Sequence, residues 1–240
     1  MTISSPQNEK LKLVRKLRAR KHREREGLFA TEGEDLLEAG IAAGAEPRFL
    51  LTAAGAGLGG EEVEPELLAG VSSLGSGTRA IAVWPLAWAE QPATPCFYLH
   101  GLSDPGNVGT IIRTVDALLG SGVVLGPGCA DPFSPKAVRG SMGSIFTQPP
   151  VRAGIEATRE TRAALVAHDG ESLEALAGAA TVCLGGEREG LPEEVVAACD
   201  VRVTIPLRPH GPESLNVAAA AAIAAQQISS PAMPEVSPDA

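Results

Sequence analysis

From Asn107 to Leu119 the apolar residues Val108, Ile111, Ile112, Val115, Leu118 and Leu119 recur every three or four positions, the spacing of a helix with one buried face. Through the second half of the chain such stretches alternate with short apolar runs of strand length. The pattern predicts strands at 96–102, 122–125, 164–168, 181–184 and 201–205, and helices at 107–119, 156–162, 172–177, 193–198 and 214–228. This alternation predicts an α/β fold, a mostly parallel sheet with helices on both faces. The first half is a smaller α/β unit. A basic helix over 6–26 carries a stripe of Leu11, Val14 and Leu17; a strand (27–33), a helix (35–43) and strands at 48–52 and 78–83 follow. The Gly/Ala/Glu-rich stretch 53–70 specifies little. Three prolines within 85–95 mark a joint, giving domains 1–88 and 96–228, a linker 89–95 and a Pro/Ser-rich disordered tail 229–240.

Composition narrows the classes. The 240 residues are 44% hydrophobic, enough for a packed core, and no apolar run is long enough to span a membrane. The N-terminus is polar and then basic, unlike a secretory leader, so a cytoplasmic protein is expected. Cys96, Cys129, Cys183 and Cys199 form neither CxxC nor a metal-ligand pattern with the four histidines, which predicts reduced thiols and no metal. Net charge is −9, yet Lys10–Arg25 holds nine Lys or Arg against Glu24 alone. That segment is a solvated helix face, a flexible tail or a phosphate grip; without aromatic residues it has little means to read bases.

Candidate chemistry falls in three stretches. Asp104-Pro105-Gly106-Asn107 makes a turn whose Asp or Asn can cap the following helix. Arg113 sits one turn further on among apolar neighbours; a partly buried arginine there needs an anion, an RNA phosphate or an internal carboxylate. Arg139-Gly140-Ser141-Met142-Gly143-Ser144 gathers small residues that allow close backbone approach around one arginine, which is either a surface residue of a turn or a phosphate contact. Leu184-Gly185-Gly186-Glu187-Arg188-Glu189-Gly190-Leu191 leaves a strand and precedes a helix, a common ligand location in parallel sheets. Ile205-Pro206-Leu207 ends the next strand and Ser214 can cap the last helix. The 184–191 loop is not GxGxxG, and GxSxG, HExxH and P-loop patterns do not occur. His22, His100, His168 and His210 lack obvious partners and read as structural or surface residues.

Together, in this order, these stretches resemble the SpoU (TrmH-like) family of S-adenosylmethionine-dependent RNA ribose methyltransferases. The opening basic helix leading into Phe29-Ala30-Thr31-Glu32-Gly33 resembles the substrate-binding domain that precedes many of them, with a fold like certain RNA-binding ribosomal proteins. The resemblance implies a trefoil-knotted catalytic domain that works as a homodimer, a second subunit completing the active site. It implies that Leu184, Gly185, Gly186, Gly190, Ile205, Leu207, Ser214 and Leu215 hold S-adenosyl-L-methionine. Asn107 and Arg113 would stand where the ribose enters, Glu187 would brace the pocket, and Ser214 and Asn216 would face the target nucleotide. Arg139 and Ser141 would contact RNA beside the site, and Lys10, Arg15, Arg18, Arg20, Lys21 and Arg23 would grip phosphates. Structured rRNA is favoured over tRNA by the upstream domain; a non-catalytic RNA-binding module is the rival reading. Two departures from the family pattern are Gly186, where Asn is common, and a loop over 206–213 one residue longer than usual.

Overall fold

The computed structural model describes residues 2–73 and 77–229; most of the expected tail, from residue 230, lies outside them. Two compact units form. The first comprises Met1–Ala89, Asp104–Arg113 and Ala130–Pro150, the second Glu90–Ser103, Thr114–Cys129 and Val151–Ala240. None of the helices among the described residues is long and apolar enough to cross a membrane.

The first unit starts with α1 (Glu9–Lys16), α2 (Arg20–Glu26), β1 (Leu28–Glu32), α3 (Glu34–Ala42), β2 (Phe49–Ala53), β3 (Glu61–Val63), α4 (Pro65–Val71) and β4 (Ala80–Pro85). Its sheet runs β1-β4-β2-β3, with β4 antiparallel to both neighbours and β3 parallel to β2. Leu11, Val14 and Leu17 pack on Leu51, Val63, Leu68, Val71, Ile81 and Val83, so the predicted stripe faces the core. The single helix expected over 6–26 is broken at Leu17–Ala19. Arg23 folds back there and donates to Leu17 O (2.7 Å) and Arg18 O (2.8 Å), carbonyls that a continuous helix would keep for its own amides. The start of α5 (Pro105–Leu119), α6 (Pro135–Ser141) and α7 (Ser144–Thr147) complete this unit. The last two helices were expected only as a turn.

The second unit holds β5 (Cys96–Leu99), β6 (Val123–Leu125), β7 (Val151–Arg152), β8 (Arg162–Leu165), β9 (Thr181–Leu184), α8 (Glu193–Ala197), β10 (Val201–Val203) and α9 (Val217–Ser229). All six strands are parallel, in the order β10-β8-β9-β5-β6-β7. β5 and β9 lie in the middle and are wholly buried, which is why they read as unbroken apolar runs. The helices expected at 156–162 and 172–177 are single 3₁₀ turns, Ile155–Ala157 and Leu173–Leu176. Arg162 instead opens β8. Asn216, not Ser214, caps α9: its Oδ1 accepts from Ala218 N (2.9 Å) and Ala219 N (3.4 Å).

Candidate functional site

A cavity of about 460 Å³ opens in the second unit beyond the carboxyl ends of β8, β9 and β10, the usual ligand position in a parallel sheet. Leu184, Gly185, Gly186, Glu187, Gly190, Ile205, Leu207, Ser214 and Leu215 all line it. Asn216 does not, being engaged as the α9 cap. The loop after β9 is tightly folded: Gly190 N donates to Gly186 O at 2.9 Å, and a Cβ on Gly185 would stand 2.0 Å from the Gly190 carbonyl carbon. A side chain at 186 would meet Gly101 O at 2.7 Å, which accounts for glycine there in place of the family's asparagine.

The wall also includes Leu165, Val166, Ala167 and His168 at the end of β8, which sequence reasoning did not assign to the site. The signal was present, since parallel strands deliver their carboxyl ends to one edge. Chemically the cavity offers bare backbone from the glycine loop, apolar surface from Leu184, Ile205, Leu207, Leu215 and Val217, and three carboxylates (Glu187, Glu189, Glu213) against Arg188. Its volume lies within the roughly 300–1,000 Å³ of small-molecule sites. Apolar walls with a negative rim suit a cationic molecule that also carries apolar surface.

In the first unit, Asp104 begins α5. Its Oδ1 accepts from Gly106 N (2.6 Å) and Asn107 N (3.0 Å), and Lys136 Nζ donates to its Oδ2 (2.6 Å). The Lys136 hydrogen bond first, then the amide of Asn107, holds the Asp104 carboxyl below its ordinary range. Ser134 caps α6 through Ala137 N, and α6 lies backbone-to-backbone on α5: a Cβ on Gly109 would stand 2.2 Å from Ala137 O. Gly140 of the second motif serves this approach, a Cβ there standing 3.3 Å from Gly106 O, whereas Gly143 lies against Ala39 of α3. Two expectations change here. Arg113 is exposed rather than partly buried, with its neighbours Ile111, Ile112 and Val115 turned inward, and it has no ion-pair or hydrogen-bond partner among the described residues. Ser141 is wholly buried and donates to Val138 O (2.7 Å), so it cannot meet RNA directly. Arg139 is exposed at a small recess shared with Thr31, Glu32 and Ser73.

The basic segment is partly spoken for. Arg23 is 3% exposed and pairs with Asp131 through Nε (2.9 Å) and Nη2 (2.7 Å), which removes it from any RNA surface. Arg18 donates to Val71 O and Ser72 O, Arg20 pairs with Glu24, Lys10 with Glu61, and Arg15 donates to Pro6 O. Lys21 is exposed and free of such partners among the described residues.

Residues 95–226 match the SpoU rRNA Methylase family, and residues 8–81 match an MRM3-like substrate binding domain. The chain belongs to the SpoU family. One relative, the 23S rRNA (guanosine(2553)-2'-O)-methyltransferase RlmP of Bacillus subtilis (strain 168), is 30% identical over 92% of this chain and 96% of its own. The 23S rRNA (uridine(2479)-2'-O)-methyltransferase of Streptomyces viridochromogenes is 34% identical over 50% of this chain and 46% of its own. Among solved structures, the AdoMet-bound rRNA methyltransferase of Sinorhizobium meliloti superposes with a TM-score of 0.83 at 26% identity, covering 95% of this chain and 96% of that one. The Sinorhizobium meliloti structure was solved with AdoMet bound, and S-adenosylmethionine is the cofactor of this family.

Proposed function

We propose that this SpoU protein transfers a methyl group from S-adenosylmethionine to a ribose 2′-hydroxyl of structured RNA, with 23S rRNA the substrate class. The observation that carries the reading is the convergence of Leu184, Gly185, Gly186, Ile205, Leu207, Ser214 and Leu215 on one cavity in a chain of this family. The two rRNA-modifying relatives favour rRNA over tRNA.

When bound, S-adenosylmethionine supplies a methyl on a sulfonium sulfur that leaves as a neutral thioether. The glycine loop and the apolar residues around it would hold the donor, and Glu187 would brace the pocket. Arg113 is permanently protonated and therefore a poor base. It orients the ribose hydroxyl and neutralises the neighbouring phosphate, a role its exposed guanidinium can serve. Arg139 holds a second phosphate. Asn107, at the start of α5, and Ser214, on the cavity wall, meet the target nucleotide, while Asn216 supports that end of the site by capping α9. Alignment of oxygen, methyl and sulfur then supplies most of the rate. Lys10, Arg15, Arg18, Arg20 and Lys21 contribute long-range attraction for RNA, with Lys21 the most accessible direct contact.

The same reading assigns residues 1–88 to substrate binding, 89–95 to a linker and 96–228 to a trefoil-knotted catalytic domain. It makes the protein a cytoplasmic homodimer in which a second copy completes each site. The test is transfer of labelled methyl to unmodified rRNA and tRNA fractions. Label entering rRNA, and falling about a hundredfold or more in Arg113→Ala, supports the proposal. RNA binding by folded protein without any transfer would favour a binding module instead.

A further inference from the structure

Cys183 is the third residue of β9, immediately ahead of Leu184 and Gly185 at the cleft, and Cys199 follows α8, which continues from the 185–191 loop. Their sulfurs lie 3.7 Å apart, with Cys199 Sγ also 3.2 Å from Val195 O. Cys183 is wholly buried and Cys199 half-buried, so a small oxidant meets Cys199 first. The other two thiols have separate neighbours, Thr181 Oγ1 for Cys96 and Leu99 O for Cys129. The hydrogen bond with Cys183, helped by the Arg162 guanidinium, holds the Cys199 thiol below its ordinary range; the same bond and then burial push Cys183 up.

We propose that Cys183 and Cys199 form a reversible oxidation site, with Cys199 the peroxide-reactive thiol and Cys183 the resolving one, whose disulfide clasps the cofactor loop. The Cys199 sulfur attacks hydrogen peroxide, breaking the O–O bond to give a sulfenic acid and one water. The Cys183 sulfur then attacks the sulfenic sulfur, forming the S–S bond and releasing its oxygen as a second water. Two thiols thereby give up the two electrons that the peroxide takes.

Bonded sulfurs stand about 2.05 Å apart, so the two cysteines must draw together. Cys183 is fixed in β9 between β5 and β8, and the movement falls on the α8 side. The closed ring contains the whole 185–191 loop, which the Gly190 N to Gly186 O hydrogen bond of 2.9 Å already folds tightly, so the movement strains it. Cofactor binding therefore weakens on oxidation. This coupling rests on the proposed function; the thiol chemistry does not.

The test treats the full chain with hydrogen peroxide, alkylates remaining thiols and digests with trypsin. Cleavage after Arg162, Arg188 and Arg202 puts Cys183 on peptide 163–188 and Cys199 on peptide 189–202. The expected product is these two peptides joined, lighter than their sum by two hydrogens and separated by dithiothreitol. S-adenosylmethionine affinity of the oxidised protein, by calorimetry, falls roughly tenfold, the effect of about 1.4 kcal/mol. Cys199→Ser, checked for native circular dichroism, keeps Cys183 reduced and its affinity indifferent to peroxide. Two separately alkylated peptides, or Cys199 carried on to sulfinic acid without a cross-link, would overturn the site. A disulfide with unchanged affinity would overturn the clasp. Failure of the reduced protein to transfer methyl would count against the proposed function alone, since the peptide map is read without activity.

Discussion

Replacing Arg23 by methionine should destabilise the first unit severely, although the change lies in what looks like a surface-binding segment. The Arg23 and Asp131 side chains are only 4% and 9% exposed, and Asp131 Oδ1 also accepts from Phe133 N at 2.9 Å. Methionine fills the space but leaves a buried carboxylate without its cation and two carbonyls, Leu17 O and Arg18 O, without their donor. Removing one partner of a buried ion pair costs about 3–5 kcal/mol. With a urea slope of about 2 kcal/mol per molar, the midpoint falls by roughly 1.5–2.5 M. Tryptophan fluorescence is the natural assay, because both tryptophans, Trp84 and Trp88, belong to this unit and Trp88 packs edge-on to Phe133 at 5.0 Å. Arg23→Met with Asp131→Leu should recover much of the loss, since the stranded charge is then gone. A single-variant loss under about 1 kcal/mol would reduce the pair to a solvated surface contact.

Gly185→Ala should abolish measurable S-adenosylmethionine binding by calorimetry while leaving the rest of the sheet folded, because its Cβ would stand 2.0 Å from Gly190; binding within a few fold of wild type would contradict the loop geometry. Asn216→Ala removes the α9 cap and should cost about 0.5–2 kcal/mol in thermal unfolding, with Asn216→Asp nearly neutral. Asp104, whose folded carboxyl titrates below its ordinary value, adds stability that is complete above about pH 4 and lost as pH falls through the depressed value. Asp104→Asn should flatten that acid limb in pH-dependent urea melts; an unchanged limb would rule the Lys136 pair out as its source. Arg113→Lys should retain a small part of the methyl-transfer rate if a guanidinium fork is used, and near-normal turnover would argue against a bidentate contact.

The parts legible in the sequence were those where burial is one-sided or complete. β9 was predicted to the residue because all four of its residues are buried, and the spacing of Val108, Ile111, Ile112 and Val115 marked the inner face of α5, although Leu118 of the same pattern is exposed. The residues that the SpoU resemblance assigns to the cofactor line one cavity, because the parallel sheet brings its strand ends to one edge. Errors arose where a distant partner overrides local pattern. A run of basic residues reads as a continuous helix, but the Asp131 carboxylate, far along the chain, draws Arg23 inward and ends α1 early. The 139–144 stretch reads as a turn or a phosphate contact, yet Gly140 lets α6 press on α5 and Ser141 is buried. Arg113 shows the converse error: apolar neighbours in sequence lie on another face of the helix, so they say nothing of its own exposure.

Nucleoside mass spectrometry of the methylated product distinguishes ribose methylation of rRNA from every alternative. Unmodified 23S rRNA incubated with the protein and S-adenosylmethionine, then digested to nucleosides, should yield one 2′-O-methylated species whose ribose carries the added mass. Methyl found on a base, or a ribose-methylated product from tRNA but none from rRNA, would rule out ribose methylation of rRNA.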